Sequence, residues 1–183
     1  MTWLNLERGD PVVQGDVSAV ESSETFEEFY AREFPAVVGL AFALSGSRTA
    51  SEDLAQEAFL AAHRDWARVA GYERPDLWVR RVVSNMSMSM FRRRYAEARA
   101  LARFARRAGT TMPELSANDA EFWAAVRSLP RRQAQVIALR YLEDRSVAEI
   151  AEILGTATGT VKKQLHDGRQ HVVRRLRLEE DDT

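Results

Sequence analysis

The sequence predicts an all-helical chain of two small domains joined by a short linker, the second domain a helix-turn-helix. Three observations predict it. Apolar residues recur at intervals of three and four along most of the chain. No stretch alternates apolar and polar residues between hairpin turns, and there is no internal repeat. The segment AGTTMPELSA, residues 108–117, interrupts the helical pattern with Gly, Thr, Pro and Ser. The expected division is an extension over 1–24, a first domain over 25–107, a linker over 108–117, a second domain over 118–178 and an acidic tail over 179–183.

The first helix starts at Thr25. Its T-x-x-E spacing to Glu28 is that of a capping box, and Phe26, Phe29, Tyr30, Val37, Val38 and Ala41 follow at helical intervals. Pro35 is expected to kink or divide it. A second helix is expected from Ser51, with Glu52 and Asp53 in the first turn, where the helix dipole favours acids, and Leu54, Ala58, Ala61 and Ala62 on one face to about Trp66. After a loop with Gly71 and Pro75 comes a third helix, with Val79, Val82, Val83, Met86 and Met90 on one side. Beyond the linker, Phe122, Trp123 and Val126 mark another helix. LPRRQAQVIALRYL, opened by Pro130, carries Val136, Ile137, Arg140 and Tyr141 in period.

The last two helices are the most informative. Ser146 is placed to cap a short helix with Val147, Ile150, Ala151 and Leu154 inward, and Gly155 to end it in a left-handed conformation. A three-residue turn leads into a helix over Thr158–Arg169, with Val161 and Leu165 inward. Ala157 stands at the expected cap, so Thr158 is expected to cap one residue later. Thr158, Thr160, Lys162, Lys163, Gln164 and Arg169 remain outward. Two helices around such a turn, the second bearing cations, amides and hydroxyls, suit a DNA major groove: lysines neutralise phosphates, and Gln164 and Arg169 are able to pair with base edges. An ordinary helical hairpin with a solvated polar face is the alternative these residues leave open.

The net charge of -1 conceals a polarity. Residues 1–65 carry 4 Arg against 12 acids, residues 66–178 carry 22 Lys and Arg against 11 acids, and the tail carries four acids. Lys162 and Lys163 are the only lysines, against twenty-four arginines, and nine of those arginines fall between Arg80 and Arg107 beside a single acid, Glu97. An acidic front and a basic back suggest one surface for a protein and another for a polyanion. Abundant arginine through codon bias is the bland alternative.

Several function classes are excluded. There is no cysteine, hence no disulfide or thiolate metal site. His63, His166 and His171 have no ligand spacing, the last two pointing about 140° apart on one helix. No nucleophile-elbow motif and no phosphate-cradling glycine loop is present. No catalytic residue, metal or cofactor is therefore expected. The start is not that of a secretory signal, and the longest apolar run, AVVGLAFAL at 36–44, is far shorter than the roughly 18–20 residues a bilayer requires. The expectation is a cytoplasmic protein with no membrane insertion.

Three segments carry a resemblance to a known family. VAEIAEILGTATGTVKKQLHDGRQ with LPRRQAQVIALRYLEDRS resembles region 4 of bacterial sigma factors. SEDLAQEAFLAAHRDW resembles the region 2 helix that docks on core RNA polymerase, and LWVRRVVSNMSMSMFRRR the promoter-melting part of region 2. They stand in family order over roughly residues 25–177, and the chain resembles the extracytoplasmic-function (ECF) type.

The resemblance implies roles residue by residue. Asp53, Leu54, Gln56, Glu57 and Phe59 match the helix that packs on the β′ coiled coil of core polymerase, with the β flap a second polymerase contact. Asn85 matches the edge of the pocket that reads an unstacked base of the -10 element, and Arg80, Arg81, Arg92, Arg93 and Arg94 match its backbone-tracking face; holding a melted strand needs cations and a base pocket. The helix with Lys162 and Lys163 matches the reader of the -35 element. Promoter DNA and core polymerase are thus the implied partners, and an anti-sigma protein is a further one. The chain departs from the family pattern at Ser89 and Met90, and at Gln164 and Asp167, where arginines are common. For Trp66 and Trp78 core packing is preferred to base stacking. The competing function is a helix-turn-helix regulator that is not a polymerase subunit, although it leaves the arginine run and the SEDLAQEAF helix without a role.

Overall fold

Local signals start and stop most of the helices. The computed structural model describes residues 24–87 and 117–181, and all of its helices are α-helices: α1 (Phe26–Ser45), α2 (Arg48–Arg64), α3 (Trp66–Val69), α4 (residues 75–87), α5 (Ala117–Ser128), α6 (Arg131–Tyr141), α7 (Val147–Leu154) and α8 (Thr158–Asp181). Thr25 and Glu28 form the capping box at the head of α1, and Gly46, at φ 68°, turns its end by donating to Phe42 O at 2.8 Å. Ser146 and Glu149 form a second capping box on α7, which Gly155 closes at φ 60°. Pro75 takes the first position of α4, where a missing N–H costs nothing.

Three local expectations are corrected. α1 is continuous through Pro35. Pro35 is exposed, and the buried Phe29, Val37, Leu40, Ala41 and Leu44 on the opposite side hold the helix together against its lost hydrogen bond. α2 starts at Arg48, capped by Ser47; Ser51 is inside the helix, its hydroxyl donating to Arg48 O at 2.7 Å. Thr158 does not cap α8 but is its first residue, and the Ala157 carbonyl accepts from Val161 N at 3.1 Å.

α1 and α2 form a hairpin across the two-residue turn Gly46–Ser47. Ala50, Ala55, Ala58 and Ala62 line the inner face of α2 and let the helix axes approach closely. An aromatic cluster closes one end: Phe29 lies 5.7 Å from Phe59 and 5.0 Å from Trp66, ring centre to ring centre, so Trp66 packs in the core as expected. α4 adds Leu77, Val79 and Val83, with Trp78 half-buried against them.

In the C-terminal unit α5 and α6 pack against α8, and α7 bridges α6 and α8. Gly168 makes the α6–α8 crossing possible, since a Cβ there would lie 3.0 Å from Ile137 Cγ1. The two units do not stand apart. α1 packs on α5 and α6, and Leu40 and Leu44 share one continuous apolar core with Trp123, Val136 and Ile137.

Gly168→Val is expected to overpack this crossing by about 1–3 kcal/mol and to lower the thermal midpoint by several degrees. Circular dichroism melts of both proteins measure it; equal midpoints would mean that Ile137 yields without cost.

Candidate nucleic-acid interface

The outer arc of α8 is built by what its inner face buries. Val161, Leu165, Gly168 and Val172 fall on one side and pack inward. At about 100° per residue, Thr158, Lys162 and Arg169 lie on one flank of the exposed arc, Thr160 and Gln164 on the other, with Lys163 between. All are exposed except Gln164, which is half-buried. Lys163 Nζ pairs with Asp167 at 3.0 Å. Arg169 Nε donates to Tyr141 Oη at 2.6 Å, with the guanidinium 5.6 Å above that ring. The arc presents cations and hydrogen-bonding groups on a rigid helix, the arrangement major-groove reading needs.

The expected -10 residues divide differently. Asn85 is exposed on α4. Arg81, one turn before it, leans on the turn between α7 and α8, its Nη2 2.7 Å from where a Cβ on Gly155 would stand. Arg92, Arg93 and Arg94 lie outside the described residues, as do Ser89 and Met90. Arg80 is corrected: its side chain is 3% exposed and does not lie on an open phosphate-binding face. It sits between carboxylates, with Nη1 donating to Glu33 Oε2 at 2.7 Å and to the Asp76 carbonyl at 3.0 Å, and Nε donating to Glu143. A nearly buried guanidinium must find such partners.

The cluster extends across the boundary between the units. Arg145 Nη1 reaches Asp76 Oδ2 at 3.0 Å and Glu149 Oε1 at 3.2 Å; Arg74 Nη2 reaches Glu149 Oε1 at 2.9 Å and holds Asp76 by two hydrogen bonds. The Ser146 capping hydrogen bond, with Arg74 beside it, holds the Glu149 carboxyl down at about 2. Burial raises the Glu33 and Asp76 carboxyls, but their arginine partners outweigh it and both stay below the ordinary carboxylate range.

A third face lies on α2. Asp53, Gln56 and Glu57 are exposed at i, i+3 and i+4. Leu54 and Phe59, which match the same helix by resemblance, are turned to the core at 6% and 1% exposure, Leu54 on the apolar face with Ala58 and Phe59 against Phe29. Leu60, which the sequence reading missed, is 53% exposed. Its position seven residues after Asp53 was the signal, since it completes the i, i+3, i+4, i+7 stripe. The face is therefore acidic and polar with one large apolar side chain. Among the described residues no group of His, Asp and Glu could hold a metal ion, and no helix is long and apolar enough to cross a membrane.

Sigma-70 region 2 matches residues 29–97, and sigma-70 region 4 matches residues 119–172. The ECF RNA polymerase sigma factor SigW of Bacillus subtilis is 28% identical over 152 residues, covering 75% of this chain and 81% of that protein. The chain belongs to the extracytoplasmic-function group of the sigma-70 family. SigE of Mycolicibacterium smegmatis is 32% identical over 167 residues, covering 86% of this chain and 63% of that longer protein. The sigma factor RpoE of Bartonella quintana, solved with the anti-sigma factor NepR, superposes with a TM-score of 0.67 at 24% identity, over 83% of this chain and 96% of that one. CnrH, solved with the cytosolic domain of CnrY, superposes at 0.59 and 22% identity, over 86% and 89%. The all-helical fold with its region 4 helix-turn-helix is thus the sigma-factor fold.

The carboxylates of the cluster make stability depend on acid. Glu149 has its ordinary value of 4.5 when unfolded and about 2 when folded, so its contribution is complete above about pH 4.5 and is lost as pH falls towards 2; Glu33 and Asp76 act in the same direction. Urea midpoints are expected to fall through that window, and less steeply in Glu149→Gln, which keeps the capping-box geometry. Parallel profiles for the two proteins would refute the assignment.

Proposed function

We infer that this chain is a dissociable initiation subunit that binds core RNA polymerase and directs it to promoters with particular -10 and -35 elements. The observation that carries the reading is the succession of sigma-70 regions 2 and 4 along one chain, each with an exposed face suited to its task. The family is not enzymatic, and we assign this chain no chemistry of its own: polymerase supplies the catalysis.

In this reading residues 25–107 form the region 2 domain, 108–117 the linker and 118–178 the region 4 domain. The α2 stripe of Asp53, Gln56, Glu57 and Leu60 meets polymerase, with acids for a basic partner helix and Leu60 for an apolar pocket, while Leu54 and Phe59 support it from below. Asn85 and Arg81, continued by Arg92, Arg93 and Arg94, handle the melted -10 strand. Thr158, Thr160, Lys162, Lys163, Gln164 and Arg169 read the -35 element. The work is cytoplasmic. The solved neighbours in complex with an anti-sigma factor and with the cytosolic domain of CnrY support a regulatory partner of the anti-sigma class here too.

Two experiments test this. The purified chain is expected to co-elute with core polymerase on size exclusion, and Asp53→Arg or Leu60→Asp to elute free with unchanged helicity. A wild type that elutes free while still binding DNA would make the chain a helix-turn-helix regulator. Lys162→Ala is expected to weaken -35 DNA binding across sequences and to reduce the salt slope by about one. An altered base preference at an unchanged slope would contradict the phosphate role.

A further inference from the structure

The fold answers the cations of the N-terminal unit and leaves those of α8 open. Arg32, Arg48, Arg68, Arg74 and Arg80 each pair with a carboxylate. Lys162, Arg174 and Arg177 are exposed and form no ion pair among the described residues. Arg174 and Arg177 lie beyond the segment assigned to the -35 element, on a helix that continues to Asp181. With Arg169, Gln170 and Val173 they line an open groove along its outer side. Three cations, an amide and one small apolar side chain suit a polyanion, whereas a protein interface would bring a larger apolar centre.

The assigned segment is poor in charge by itself. Of its three cations, Lys163 is answered by Asp167 at 3.0 Å, which leaves Lys162 and Arg169. Phosphate contacts supply much of DNA affinity, each worth about 0.9 in the slope of log K against log salt. Arg174 and Arg177 double the number of cations without a carboxylate partner on this face.

Their position makes them usable. At about 1.5 Å and 100° per residue, Arg174 stands about 17 Å along the axis from Lys163 and about 20° round it; Arg177 stands about 21 Å along and about 40° round in the other sense. The major groove is about 12 Å wide. A helix that crosses it with Lys162 and Lys163 at one phosphate wall brings these arginines to the opposite wall. Between the two ends the same ridge carries His166 and Gln170, whose Nε2 atoms lie 3.0 Å apart, so hydrogen-bonding groups stand where base edges would be.

We propose that Arg174 and Arg177 form a second phosphate clamp, gripping the DNA backbone on the wall of the groove opposite Lys162 and Lys163. It adds affinity without sequence preference. The clamp rests on the reading of α8 as the -35 helix.

The test uses the full chain and a short duplex that it selects from a pool of randomised sequence, with binding read by fluorescence anisotropy as salt is varied. Arg174→Gln and Arg177→Gln are each expected to lower the salt slope by about 0.9, so that each variant's deficit shrinks about threefold between roughly 50 and 200 mM salt. The deficit is expected to be the same for every -35 sequence. Arg174→Lys keeps the charge and is expected to keep the wild-type slope. Neutral methylphosphonates placed one by one along the backbone are expected to weaken the wild type at two groups of positions, one on each wall, and to lose their effect at one of them in Arg174→Gln. Should a glutamine variant lose helicity, the two groups of positions on the wild type decide the matter.

Unchanged slopes, a shifted base preference, sensitive phosphates on one wall only, or a chain that binds no duplex would overturn the clamp. Unchanged slopes combined with lost co-elution with core polymerase would assign the ridge to an acidic protein surface instead. Failure of the wild type to co-elute would overturn the sigma reading alone, because the slopes of the free chain still decide the clamp.

Discussion

The ion cluster around Arg80 is the constraint on which the arrangement of the two units depends. A guanidinium at 3% exposure needs compensation from every side, and Glu33, the Asp76 carbonyl and Glu143 supply it from three separate elements. Removing one partner of such a buried pair costs roughly 3–5 kcal/mol, because the remaining charge is stranded. The cluster therefore fixes which surface of α4 faces the C-terminal unit, and with it the position of the α7–α8 turn over Arg81. An apolar interface of the same area would hold the units together without specifying this register so closely.

Around that cluster the apolar core acts as scaffolding. The alanine face of α2 lets it lie close to α1, which leaves the opposite stripe of Asp53, Gln56, Glu57 and Leu60 turned outward on a rigid support. Gly168 does the same for α8, whose inner residues seat on Ile137 so that Lys162 and Lys163 stay outside. Small residues on the inner face and functional residues on the outer face are two consequences of one helical period. Neither working helix depends on a loop for its position.

The sign of charge is also distributed by this logic. The acidic front half supplies Glu33 to the cluster and Asp53 and Glu57 to the surface; the basic back half supplies Arg80, Arg145 and also Asp76 inward and the lysines outward. A side chain of either sign serves as an internal tie or an external contact depending only on the elements packed over it. Formal charge by block predicts which partners are attracted, but not which individual residues remain to meet them.

How much was legible follows from the range of the interactions concerned. The capping box at Thr25, the cap at Ser146, the left-handed Gly155, the helical periods and the exposed arc of α8 are set within three or four residues, and the sequence by itself determined them. The continuity of α1 through Pro35, the start of α2 at Arg48, the burial of Phe59 and the exposure of Leu60 were harder to read, because an amphipathic pattern does not say how wide its buried stripe will be. The fate of Arg80 was not legible at all. Its partner Glu143 lies 63 residues away, and only the packing of α1 on α5 and α6 brings the two together. Sequence determined the helices, the caps at Thr25, Ser146 and Gly155 and the family, since these depend on neighbours along the chain; tertiary structure alone decided which arginines are free and which are bound, since a charge is answered by whatever the fold places beside it.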